Sequence, residues 1–264
     1  MGVGARTRGD PVILAFDTST ALTSVAVVDA GDVVAERLEL DARRHAEVLA
    51  PLLESILAET RVDRASISAI ACGVGPGPYT GLRVGIATAR ALGLAWDRPV
   101  LGLCSLDALA AAAAGTATTA FAVASDARRR EVYWAAYGQD GTRVLGPLVS
   151  RPGDIDNRFR SGPWFGQGAV DHRSDLGPVL VDTAEALSAL RFPHASWIAR
   201  CVEDLLHVDE PSSTPGLELS AHGGDGSATA EALAGLALLP PVPLYLRRPD
   251  AAEAAHRSAS GGVT

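Results

Sequence analysis

Four groups of residues in this sequence are of a kind and spacing that could do chemistry. Asp17-Thr18-Ser19-Thr20 ends an apolar run over residues 12–16 and offers one carboxylate and three hydroxyls, a set suited to a nucleotide or another anion. Asp126, followed by Arg128-Arg129-Arg130, repeats the strand-then-Asp pattern at residues 121–126. His45 opens an apolar-periodic segment and is the one imidazole in it. The fourth is the stretch 73–78, GVGPGP, between an apolar run and a helical pattern. A glycine loop there lets backbone come close to a phosphate, another helix or another chain. It has no following Lys and lacks the dinucleotide glycine spacing. Pro76 and Pro78 also remove two backbone donors from any anion nest. Phosphate cradle, packing loop and docking loop all stand as readings.

Composition narrows the classes. The 264 residues are 47% hydrophobic, enough for a full core, and the net charge of −8 supplies no basic field for nucleic acid. Lys is absent from the whole chain, which excludes Schiff-base and P-loop-lysine chemistry. Cys72, Cys104 and Cys201 each lie in an apolar stretch and read as buried thiols in a reducing compartment. With no apolar leader and no run of membrane-spanning length, the expectation is a cytoplasmic protein without a membrane partner.

The elements that must position these groups follow from periodicity. Strands are predicted over residues 12–16, 23–28 and 33–40, then a helix over 44–59 whose apolar residues fall at helical spacing. A strand over 67–74, a helix over 80–96 and a strand over 100–103 complete a βββαβαβ order. The opening recurs with strands over 121–125, 131–137 and 143–149. A weak helix over 154–160, a strand over 164–169 and a helix over 195–206 follow. The predicted fold class is therefore α/β with two βββαβα-type halves facing a cleft, the plan of the actin/hexokinase/Hsp70 (ASKHA) superfamily. The expected subdomains are residues 12–106, with the two long helices, and 107–208. Residues 209–242 read as a linker or insertion, with a helix over 227–239, and 243–264 as a short apolar return and a disordered tail.

In chain order ILAFDTST (13–20), GPGPYTGLRVG (75–85), SDARRREVYW (125–134) and PLYLR (243–247) resemble the bacterial TsaB family, also called YeaZ. The resemblance implies a non-catalytic partner of TsaD in making threonylcarbamoyladenosine next to the tRNA anticodon. In that family TsaD carries the catalytic site, with a metal-binding His pair one helical turn apart. Here the residue four after His45 is Leu49, so the resemblance implies a degenerate site and no catalytic residue, metal or resident cofactor. ATP or ADP is expected only in the complex, alongside a TsaE-like ATPase, and tRNA only through that complex.

The resemblance also places partner docking on the two long helices. The expected interface residues are His45, Leu49, Leu52, Leu53 and Ile56 on the first, and Leu82, Arg83, Ile86 and Arg90 on the second. The same helices could serve a homodimer. Asp17, Thr18, Ser19 and Asp126 are expected to keep at most a residual nucleotide or anion contact. The alternative class is a small-molecule ATP-dependent kinase of the same superfold, which would turn over ATP without a partner.

Overall fold

The computed structural model describes residues 11–41, 44–181, 185–208 and 238–246. Its first half is built on a five-stranded sheet. Strands β1 (Val12–Asp17), β2 (Leu22–Asp29) and β3 (Asp32–Leu40) form the antiparallel meander that the alternation and tight turns predict. Helix α1 (His45–Thr60), β4 (Ile67–Gly73), α2 (Tyr79–Trp96) and β5 (Val100–Leu103) follow, with β4 and β5 adding in parallel to give the order β3-β2-β1-β4-β5.

Both faces of this sheet are covered, which is why its central strands read as near-continuous apolar runs. Leu14, Phe16, Val25, Val27, Ile70 and Cys72 face α1 and α2, meeting Leu49, Leu53, Ile56, Leu82 and Ile86. The alternate residues Ile13, Ala15, Ala26, Val28 and Ala71 face Ala195, Ile198, Ala199 and Val202 of the last helix. The Ala positions on that side let the helix approach closely.

Helix α3 (Ser105–Ala114), absent from the elements that periodicity predicts, leads into the second half. Buried over most of its length, its sequence SLDALAAAAA has no polar face, so no 3.6-residue contrast exists to read. The second sheet comprises β6 (Phe121–Asp126), β7 (Val132–Tyr137), β8 (Arg143–Ser150) and β9 (Trp164–Phe165). Its order β8-β7-β6-β9, with β6 and β9 parallel, repeats the first sheet's plan. The expected α/β fold with two halves is therefore present.

The second half is reduced. Where the first has long α1 and α2, the described residues here form the short α4 (Asn157–Arg160) and α5 (Gln167–Asp171). The expected strand over 164–169 stops at Phe165, because Gly166 at φ 98° turns the chain into α5. Bulky rings cluster in this half's core. Trp134 lies 5.6 Å from Phe159 and 5.8 Å from Trp164, centroid to centroid.

Two boundary expectations change. Helix α6 (Ala195–Val208), assigned from sequence to the second subdomain, packs on β1, β2 and β4 of the first sheet because its apolar face meets the small residues there. The helix expected over 227–239 cannot reach its last residue. Leu239 is extended, exchanging backbone hydrogen bonds of 2.8 Å with Gly102 at the β5 edge. From there Leu244 N–H donates to Val74 O at 2.8 Å, and Tyr245 stacks on Tyr79 at 5.1 Å. The rest of that expected helix, the 209–237 part of the linker, and the tail from 247 onward lie outside the described residues.

Candidate functional site

Asp17 ends β1 at the mouth of the glycine-proline loop, and the structure shows what that loop is for. Oδ1 of Asp17 accepts from Ser19 N–H and Ser19 Oγ, each at 2.7 Å. Oδ2 accepts from Ser105 Oγ, at the start of α3, at 2.6 Å. Ser105 in turn accepts from Gly75 N–H and donates its own N–H to Gly75 O. Both carboxylate oxygens are thus engaged by the chain itself, and the residue is buried. Burial pushes its pKa up, against the hydrogen bonds from Ser105 and Ser19 that pull it down.

The loop's glycines make room for this turn rather than for a ligand. A Cβ at Gly73 would collide with the Asp17 carboxylate, and one at Gly77 with the Ser19 carbonyl. On α2, Gly81 and Gly85 admit the Thr18 carbonyl and hydroxyl, and Thr18 Oγ1 donates to Gly81 O at 2.7 Å. The packing reading of the loop is the one the geometry favours.

His45 is buried at the start of α1, its Nδ1 2.7 Å from Thr23 Oγ1 and its ring against Gly81. The N-cap position is taken by Arg44, which makes no side-chain cap, and His45 is the first residue of the helix. Desolvation holds its pKa below the usual value, partly offset by Asp17 and Asp41. Among the described residues no group of three or more His, Cys, Asp or Glu is arranged to hold a metal ion.

The expected interface residues separate into two groups. Leu49, Leu53, Ile56, Leu82 and Ile86 are core residues, 0 to 7% exposed, so their own sheet occupies the surface expected to meet a partner. Leu52 is half-buried against the same core. The reason is geometric: the widest apolar stripe of each helix is the one the sheet takes. Arg83 and Arg90 do point outward, and Arg83 lies over the Tyr79 ring at 4.7 Å. The outward faces are otherwise made of small and polar residues, among them Ala46, Ala50, Ala87 and Ala91, with Leu94 88% exposed.

Of the four expected anion contacts, Asp17, Thr18 and Ser19 are buried and engaged, so they do not face a ligand. Only Asp126 lines the cleft between the halves. There it accepts from Arg128 N–H at 2.7 Å and pairs with Arg128 Nη1 at 3.3 Å. The cleft also brings in Ser125, Gln167, Asp171, Arg191 and Phe192, which the sequence did not single out. No local motif marks them, because they come from three separate segments. All three thiols are buried, and burial pushes each up to about 12, which leaves them unreactive.

A family model for TsaD, tRNA N6-adenosine threonylcarbamoyltransferase, matches residues 34–164. The Escherichia coli tRNA threonylcarbamoyladenosine biosynthesis protein TsaB is 40% identical over 163 residues, 59% of this chain and 70% of that protein. The chain belongs to the TsaB/YeaZ family. An uncharacterised Mycobacterium tuberculosis protein is 39% identical over 242 residues, 90% of this chain and 93% of that one. The structure of YeaZ from Pseudomonas aeruginosa, 31% identical, superposes with a TM-score of 0.62 over 76% of this chain and 94% of its own. Family membership agrees with the ASKHA-type architecture described above. Among the described residues no helix is long and apolar enough to cross a membrane.

Proposed function

We propose that this chain acts in tRNA threonylcarbamoyladenosine biosynthesis as a non-catalytic subunit that docks a TsaD-like catalytic subunit. Relatives known as tRNA threonylcarbamoyladenosine biosynthesis protein TsaB support the pathway. The observation that carries the non-catalytic part is Asp17. Its buried carboxylate already accepts from Ser19 N–H, Ser19 Oγ and Ser105 Oγ, which leaves at most one lone pair, on Oδ2, for a metal ion. ATP or ADP then enters only in the assembled complex, with a TsaE-like ATPase, and tRNA is met only there.

Docking uses the outward faces of α1 and α2 rather than their core stripes. Small side chains at Ala50, Ala87 and Ala91 let a partner helix approach closely, exposed Leu94 supplies an apolar anchor, and Arg83 and Arg90 are placed to meet carboxylates.

The test is reconstitution with the TsaD and TsaE homologues. The chain should co-elute with TsaD, and tRNA should be threonylcarbamoylated only when it is present. ATP turnover by the pure chain, lost in an Asp17→Asn variant of unchanged thermal midpoint, would instead support the kinase reading.

A further inference from the structure

The cleft between the halves contains a cavity of about 350 Å3 for which the docking reading has no use. Arg191 in its wall decides its chemistry. Nε and Nη2 of Arg191 both donate to Gln167 Oε1, at 2.9 and 2.6 Å, while Gln167 Nε2 donates to Asp171 Oδ1 at 2.7 Å. A neutral amide therefore stands between the guanidinium and that carboxylate, and no ion pair joins Arg191 to any described residue. Its guanidinium carbon also lies 5.8 Å from the Phe192 ring centroid. The charge is held in place at the cavity with no direct carboxylate partner among the described residues.

Ser125, at the end of β6, lines the same cavity, and its buried hydroxyl has no hydrogen-bond partner. Buried hydroxyls are normally satisfied, so an orphan in the wall of a cavity that also holds the Arg191 guanidinium points to a missing acceptor. Elsewhere in the wall Asp126 is paired with Arg128 and Asp171 is held by Gln167, and Ala21, Leu40, Pro78 and Phe192 supply apolar surface. We propose that this cavity binds a small organic anion. Its carboxylate or phosphate group sits against Arg191 and Ser125, and its apolar body lies on Phe192 and Pro78. The volume is at the small end of metabolite pockets. This site needs neither a metal nor a docked partner.

Calorimetric titration of the full chain, at ionic strength matched with sodium chloride, tests the site with three probes. Inorganic phosphate offers a headgroup alone, AMP a phosphate monoester, and isovalerate a carboxylate on an apolar body. Saturable binding of AMP or isovalerate is expected, and which of them binds tells the phosphate source from the carboxylate. Arg191→Gln should weaken that binding about tenfold, as the loss of a charge-assisted contact does. Ser125→Ala should weaken it about threefold with an unchanged thermal midpoint, because the hydroxyl it removes has no partner to lose. Absence of saturable binding by all three probes would overturn the proposal, as would equal affinity in both variants. If Arg191→Gln does not fold, Ser125→Ala decides alone: weaker binding supports the site and unchanged binding refutes it.

Discussion

Asp107 is buried in α3 with Oδ1 accepting from Tyr137 Oη at 2.8 Å and lying 3.2 Å from Arg143 Nη1. Burial pushes its pKa up to about 6, outweighing the guanidinium and the phenol. In the unfolded chain the same carboxyl titrates near 3.8. Between those values the native state holds a proton that the unfolded state releases. This group's contribution to stability is therefore present below the unfolded value and is lost as pH rises through about 6. Asp107→Asn is neutral at every pH and should remove that dependence. Urea unfolding at pH 4 and pH 7 should show the wild type losing about 1–3 kcal/mol relative to the variant across the interval. Parallel profiles would mean that Arg143 keeps the carboxylate ionised. Asp17 shows the same physics at the site itself. Its residue type pointed to ligand chemistry, yet Ser105, 88 positions away, uses the carboxylate for structure.

Helices α1 and α2 test the difference between a stripe that covers a sheet and a face that meets a partner. Leu49 is 1% and Leu53 7% exposed, both packed against the first sheet. Leu49→Glu and Leu53→Glu should therefore each strand a charge in the core, costing about 4 kcal/mol or more and lowering the thermal midpoint by roughly 10 °C or more. Leu94, 88% exposed, behaves oppositely. Leu94→Glu should change stability by less than about 0.5 kcal/mol, yet weaken co-elution with a TsaD homologue by about tenfold or more. Midpoints from thermal scans and affinities from the same preparations separate the two effects. A folded Leu49→Glu protein that fails to bind would return the interface to the buried stripe.

The whole molecule is not two independent halves. Ile13, Ala15, Ala26 and Val28 on the first sheet are covered by α6, which the chain delivers only after completing the second sheet. The strap at Leu239–Leu246 then pairs with β5 and packs on the cores of both halves. A fragment of residues 12–106 should accordingly lack a cooperative thermal transition and show poorly dispersed amide resonances, because one face of its sheet is left bare. The full chain should unfold in a single step. A cooperative fragment would show that α1 and α2 alone hold the sheet together.

The sequence by itself determined the succession of the main strands along the chain, the Asp turns, the two long helices and the family, because alternation, helical spacing and turn residues are local properties of a chain. It was silent about α3, whose apolar run carries no periodic contrast. Tertiary structure alone decided which stripe of α1 and α2 the sheet takes, and that α6 crosses to the first half. It also decided that the Asp17 corner is closed and that Arg191 and Ser125 line the same cleft. These are questions of which distant group occupies a given volume or accepts a given hydrogen bond. Segments far apart in the chain settle them only when they pack together.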